Sequence, residues 1–203
     1  GAPHGLINNA ALDSPPDSSA AETGPFEDYP ESSWDKVMDV NAKGVFQCCQ
    51  VFGKPMADAG RGSIVNVASI YGSVSPDQGL YQYRRDRGEV FFKPVAYSAS
   101  KSALYNLTRY IAAYWGPKGV RANSVTFAGV FNNQIDPDFL DADATRADLG
   151  AGGGDDDARP CAGTVVARTG AANYASVQAA IAASSSGATL CVFPGVYFEA
   201  VNF

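Results

Sequence analysis

The chain has 203 residues, 46% of them hydrophobic and 18% charged, enough for one domain with a real core or one and a half. With 15 Lys and Arg against 21 Asp and Glu the net charge is −6, and the absence of any basic run sets aside nucleic acid and anionic membranes as partners. No apolar run reaches the roughly 20 residues that a membrane span needs, and no basic stretch followed by an apolar one opens the sequence, so no signal peptide is expected.

Strand and helix signals alternate through the first 140 residues. Gly5 to Ala10 reads as a short buried strand running into a loop, and the Pro-, Ser- and acid-rich residues 12–31 as a surface connection. Ser32-Ser33-Trp34-Asp35 offers a helix N-cap, followed by Trp34, Val37, Met38, Val45, Phe46, Cys49 and Phe52 at helical spacing. Gly60-Arg61-Gly62 ends that unit. The β-branched run Ser63 to Val67 predicts a strand buried on both faces. Residues 72–96 form a polar and aromatic insertion with Tyr81, Tyr83, Arg84, Arg85, Arg87, Phe91 and Phe92. A helix is expected from about Tyr97 to Trp115, stopped by Gly116-Pro117, and a third strand from Val120 to Thr126. Strands separated by helices imply an α/β fold: a partial Rossmann-like parallel sheet with flanking helices and right-handed crossovers.

The composition then breaks. Of the 23 residues from Asp141 to Gly163, 17 are Ala, Gly or Asp and none is aromatic, which predicts a flexible linker over residues 141–163. Asp155-Asp156-Asp157 within it reads as solvated charge, and no metal site is expected. From Thr164 the pattern returns as a helix over Tyr174 to Ala183, a strand over Thr189 to Phe193 and an extended run from Val196 to Phe203, a small helix/strand appendage.

Cys48, Cys49, Cys161 and Cys191 match no zinc spacing, which favours a reduced, cytoplasmic chain. His4 is the only histidine, so histidine-based catalysis is nearly excluded. The chemistry concentrates elsewhere. Tyr97 and Lys101, four residues apart, share a helix face, and an ammonium beside a phenol lowers its pKa toward the working range. Ser69, in Asn66-Val67-Ala68-Ser69-Ile70-Tyr71-Gly72, stands at the carboxyl end of a predicted parallel strand, where open α/β sheets bind ligands, and suits holding a carbonyl oxygen. Asn41, in Asp39 to Phe46, is unusual inside a helix, and its amide would hold a water linking the lysine to solvent. Asn8-Asn9-Ala10 ends the first strand.

In this order, the elements Asn8-Asn9-Ala10, Val40-Asn41 with Gly44-Val45-Phe46, Asn66 with Ala68-Ser69, Tyr97 to Lys101 and Val120-Arg121 with Asn123-Ser124-Val125 resemble the short-chain dehydrogenase/reductase family over about residues 1–135. The resemblance implies an NAD- or NADP-dependent oxidoreductase that interconverts a small alcohol and its carbonyl compound, which would make the substrate a small molecule, sugar-derived for example. It makes Tyr97 the general acid/base, Lys101 its modulator and a ligand of the nicotinamide ribose, Ser69 the group orienting the substrate oxygen, and Asn41 the last member of a proton relay. Asn8, Ala10, Val67 and Val130 join Asn41, Tyr97 and Lys101 at the cofactor site. Family members often assemble through the helices that correspond to residues 32–52 and 97–115, so a homo-oligomer is an expectation. The insertion resembles a subgroup associated with bacterial surface-sugar or flagellin-glycan biosynthesis; its arginines suit an anionic or sugar substrate, and equally a solvated loop, the more ordinary place for such charges.

The family's glycine-rich first half has no counterpart here, Phe127-Ala128-Gly129 replaces its Pro-Gly, and its final strand after residue 140 is not recognisable. These departures predict a truncated or fused domain over residues 1–140, whose alternative is an inactive fragment. Residues 164–203 resemble the opening of a β-helix such as that of pectin methylesterases, through Tyr174 to Ile181 and Val192 to Glu199.

Overall fold

The computed structural model describes residues 1–13, 18–127, 136, 138, 139, 164–166, 177–183, 185, 186 and 189–192. The predicted linker, Asp155 to Asp157, Val130 and the extended run after Val196 lie outside the described residues.

The three expected strands form, as β1 (Gly5–Asn8), β2 (Gly62–Ser69) and β3 (Val120–Phe127). All pair in parallel: Leu6 stands opposite Ile64, and Ile64 opposite Ala122. The β-branched content of β2 fits a strand covered on both sides, and Ile64 and Val65 are buried. β1 pairs only with β2 among the described residues, and Ile7 is half exposed there.

The sheet does not stop at β3. Thr189–Val192 (β5) runs parallel to β3, with Ser124 opposite Thr189, and Thr164–Val166 (β4) pairs with β5, giving the order β1-β2-β3-β5-β4. Ala122 N donates to Ser186 Oγ at 3.3 Å and stitches the same edge, and a short helix, α5 (Val177–Ala183), precedes β5. The strand expected from Thr189 to Phe193 thus forms over Thr189–Val192, but it pairs beside β3 and extends this sheet; the resemblance to a β-helix opening finds no support.

The expected first helix starts at Glu31, after Pro30, instead of being capped by Ser32; no side chain caps it, and Pro30 sets the entry. It runs as α1 (Glu31–Met38), a π-helical stretch from Asp39 to Gly44, and α2 (Val45–Asp58). Its buried face carries Ser33, Val37, Asn41, Val45, Cys49, Gly53 and Ala57 in a four-residue stripe, joined near its end by Met56. Such a stripe drifts around an α-helix of 3.6 residues per turn; the wider π turns take back part of that drift and keep Asn41 aimed inward. Phe46 and Phe52, read from sequence as part of the apolar face, are instead exposed. Gly53 is dictated by packing, because a Cβ there would sit 2.2 Å from the Trp115 ring.

The second long helix, α4 (Val95–Trp115), begins two residues earlier than expected, directly after Pro94. Leu104, Ile111 and Ala112 pack it against Val45, Cys49, Met56, Ile64, Val120 and Ala122 to form the main core. The insertion is folded, not an open loop. A helical turn over Gln78–Tyr81 leads into α3 (Gln82–Asp86), and Ile70, Tyr71, Leu80, Tyr81 and Phe91 form a second, aromatic core against Tyr97.

Candidate active site

The carboxyl ends of β1 and β2 and the first turns of α4 converge on one place. Ser69 is the last residue of β2, and Tyr97 and Lys101 lie one helical turn apart on α4. The turn that follows β2 fits against this helix only because residue 72 is glycine: a Cβ there would lie 2.7 Å from the Lys101 carbonyl carbon. Ser102 Oγ donates to the Gly72 carbonyl at 2.5 Å and fixes the contact.

Lys101 is buried, and its Nζ donates to the Val67 carbonyl at 2.7 Å while lying 5.8 Å from the centre of the Tyr97 ring. Burial lowers its pKa and the Asp13 carboxylate opposes that shift. Burial pushes the Tyr97 phenol up to about 12, and Asp13 adds to the rise, while a hydrogen bond with the Ser69 side chain pulls the other way. The lowering expected from Lys101 does not emerge: desolvation of the phenolate dominates, and Lys101 directs one of its three donors to the Val67 carbonyl.

Asn41 lies beneath the site. Its Oδ1 accepts from Leu12 N at 2.7 Å, and its Nδ2 donates to Leu12 O at 2.8 Å and to Ser100 Oγ at 3.0 Å. Both amide protons are committed, so a water at this side chain would donate to the second lone pair of Oδ1. These bonds tie the loop after β1 to α4 one residue from Lys101. Ser100 Oγ passes the link on by donating to the Tyr97 carbonyl at 2.8 Å.

Asn8, at the end of β1, turns its amide to β2 and α2, reaching Cys49 Sγ at 3.3 Å as well as Asn66. It is buried and donates to Asn66 Oδ1 at 2.8 Å; Asn66 donates to Thr108 Oγ1 at 2.8 Å, which donates to Leu104 O at 2.7 Å. This ladder crosses from β1 through β2 to α4. Ala10 stands exposed just past β1. Val67 contributes its carbonyl to Lys101.

Tyr105 was missed by the sequence reading. It continues the Tyr97–Lys101 face by one more turn, the signal that could have found it. Its hydroxyl donates to Ser69 O at 2.8 Å, accepts from Ser73 Oγ at 2.9 Å and pairs with Thr126 Oγ1 at 2.9 Å, pinning the ends of β2 and β3 to α4.

The insertion's arginines do not line the site. Arg85 donates to Phe91 O at 2.9 Å and Gln78 O at 2.7 Å; Arg84 pairs with Glu89; Arg87 pairs with Asp136 and Asp138. The cation that does reach the site is Lys93, 4.8 Å from the centre of the Tyr97 ring. Among the described residues, no group of His, Cys, Asp and Glu is placed to hold a metal ion, and no helix is long and apolar enough to cross a membrane.

Comparison with known proteins gives the family. A family model described as enoyl-(acyl carrier protein) reductase matches residues 1–152. Galactitol 2-dehydrogenase of Rhizobium johnstonii is 35% identical over 121 residues, 59% of this chain and 39% of the relative. The 3-alpha-(or 20-beta)-hydroxysteroid dehydrogenase of Mycobacterium bovis is 36% identical over 122 residues, 60% of this chain and 38% of the relative. A crystal structure of a short chain dehydrogenase from Leptospira borgpetersenii with bound NAD+ matches with a TM-score of 0.59 at 30% identity, over 73% of this chain and 51% of that one. The chain thus spans about two-fifths of the length of these curated relatives. On the matched residues 1–152, the parallel sheet and the Ser69, Tyr97 and Lys101 cluster at its carboxyl end, the chain belongs to the short-chain dehydrogenase/reductase family.

Proposed function

We propose that this chain carries the acid/base site of an NAD- or NADP-dependent oxidoreductase that interconverts a small alcohol and its carbonyl compound. The observation that carries the reading is the juxtaposition of Ser69, the Tyr97 phenol and the Lys101 ammonium at the carboxyl end of β2. A phenol hydroxyl and an ammonium on one helix face suit the paired hydroxyls of a ribose, so these residues fit a nicotinamide nucleotide. A bound nicotinamide supplies the hydride acceptor in oxidation and the hydride donor in reduction. Tyr97 takes the carbinol proton in oxidation and returns it to the carbonyl oxygen in reduction; Ser69 holds that oxygen and Lys101 holds the ribose. Asn41 acts as a positioning residue through Ser100. Cys48 and Cys49 as free thiols support a reduced, cytoplasmic setting. Exposed Phe46 and Phe52 on α2 and Tyr110 and Tyr114 on α4 support a homo-oligomer, whose mass light scattering of the full chain reads directly.

With the phenol held at about 12, Tyr97 is protonated at neutral pH. Reduction, which needs the protonated phenol, is expected to be flat over roughly pH 6 to 9, while oxidation, which needs the phenolate, rises about tenfold per pH unit. Tyr97→Phe is expected to abolish both. Titration of the full chain with NADH and NADPH, followed by rate–pH profiles in both directions, tests this. A folded chain that binds neither nucleotide marks the cluster as idle, the inactive-fragment alternative, and turnover that survives Tyr97→Phe removes Tyr97 from the chemistry.

A further inference from the structure

Beside Tyr97 lies a cavity of about 70 Å³, lined among others by Asp13, Glu22, Ser33, Lys36, Pro94 and Tyr97. Its volume suits about two water-sized groups. Its walls are the connection after β1, the inner side of α1 and the junction of the insertion with α4 at Pro94. The connection and the insertion are joined: Phe92 N donates to Thr23 O at 2.7 Å, and Thr23 Oγ1 to Val90 O at 2.8 Å.

Lys93 stands at this junction. Gln78 grips its backbone from both sides, accepting from Lys93 N at 2.8 Å and donating to Lys93 O at 3.1 Å. Pro94 follows and caps α4, which places Lys93 four residues ahead of Tyr97. Its side chain is only 10% exposed, and Nζ pairs with Asp13 Oδ1 at 2.5 Å. A mostly buried ammonium held on a clamped backbone beside the acid/base residue is costly unless it serves a purpose.

We propose that Asp13 and Lys93 are the specificity determinants of this site and select a neutral polyol over a plain alcohol or a carboxylate-bearing substrate. The inference rests on the reading of Tyr97 as the acid/base residue. A vicinal hydroxyl next to the reacting carbinol donates to Asp13 and accepts from Lys93, so both ions keep a partner when water leaves. An alkyl neighbour desolvates the pair and returns nothing. A carboxylate competes for Lys93 but faces repulsion from Asp13 beside it; of the other charged groups lining the cavity, Glu22 adds to that repulsion and Lys36 offsets it. The substrates of the two relatives, a polyol and a steroid, point in different directions, so the selection rests on these side chains.

Three four-carbon probes test the idea: threitol, sec-butanol and α-hydroxybutyrate. Their binding to the full chain is read by saturation-transfer NMR with NADH present, which cannot oxidise them, so the readout does not depend on turnover. Threitol is expected to bind at least about tenfold more tightly than sec-butanol, the gap that one charge-assisted hydrogen bond supports. Lys93→Met is expected to erase that gap. Asp13→Asn, an isosteric change at a half-exposed position, weakens threitol and admits α-hydroxybutyrate. Equal binding of threitol and sec-butanol, no binding of threitol, or unchanged preferences in both variants overturns the proposal. Loss of hydride transfer in Tyr97→Phe is a separate measurement and reports on the function, not on the pair.

Discussion

The floor of the site and the insertion beside it are held together by different physics. The floor is neutral and buried: Asn8, Asn66 and Thr108 form a ladder across three elements, with Asn66 fully enclosed, and Asn41 bonds Leu12 and Ser100 through its amide. The insertion is charged and lies near the surface, organised by Arg85 on backbone carbonyls, by Arg84 stacked 3.8 Å over Phe91 and by exposed ion pairs. Neutral hydrogen bonds without water fix a geometry at high stakes, because losing one partner strands the other. Charged groups near water hold more loosely and are cheaply re-paired. The residues proposed to move protons stand on the first kind of support, and the wall proposed to face substrate stands on the second.

The contrast breaks most sharply at Asn66. Asn66→Ala leaves the Asn8 amide without its oxygen acceptor and Thr108 Oγ1 without its donor, both away from water, and also opens a small void. The expected loss is about 3 kcal/mol of stability, read from the midpoint of urea unfolding. A loss below about 1 kcal/mol would mean that the ladder is no stiffer than the surface pairs.

Where the backbone pattern is local, the sequence was legible. The three strands, both long helices, and the Ser69, Tyr97 and Lys101 cluster follow from β-branched runs, helical spacing and a one-turn tyrosine–lysine pair. What escaped depends on contacts distant in sequence. The π turns at Asn41 are invisible in a spacing argument that assumes 3.6 residues per turn, so Phe46 and Phe52 were placed on the wrong face. The arginines of the insertion left two readings open, a sugar-facing wall or a solvated loop, because sequence shows charge but not partners; the structure commits them to Gln78, Phe91, Glu89 and Asp136. Lys93 drew no notice, since only the Gln78 clamp and Asp13, 80 positions away, give it a role. The pairing of β5 with β3 likewise joins segments across a composition break that no local signal crosses.

A smaller effect is expected where the insertion relies on geometry rather than on charge alone. Arg85 donates through one planar fork to Gln78 O, Phe91 O and Gln82 Oε1, and these bonds hold the two ends of the insertion's hairpin together. Arg85→Lys keeps the charge but reaches only part of that set, because an ammonium is a point donor. The expected cost is about 1 kcal/mol in the same urea measurement, well under that of Asn66→Ala. The change should also loosen residues 78–92, and with them the position of Lys93, so amide exchange in that segment should quicken while exchange in β2 does not. Arg87→Ala is the control: its pairs with Asp136 and Asp138 are solvent-exposed, and the unfolding midpoint should stay where it is. If Arg85→Lys proved as silent as Arg87→Ala, the insertion would be held by its aromatic core of Leu80, Tyr81 and Phe91 alone, and the placement of Lys93 would trace to apolar packing and the Gln78 clamp.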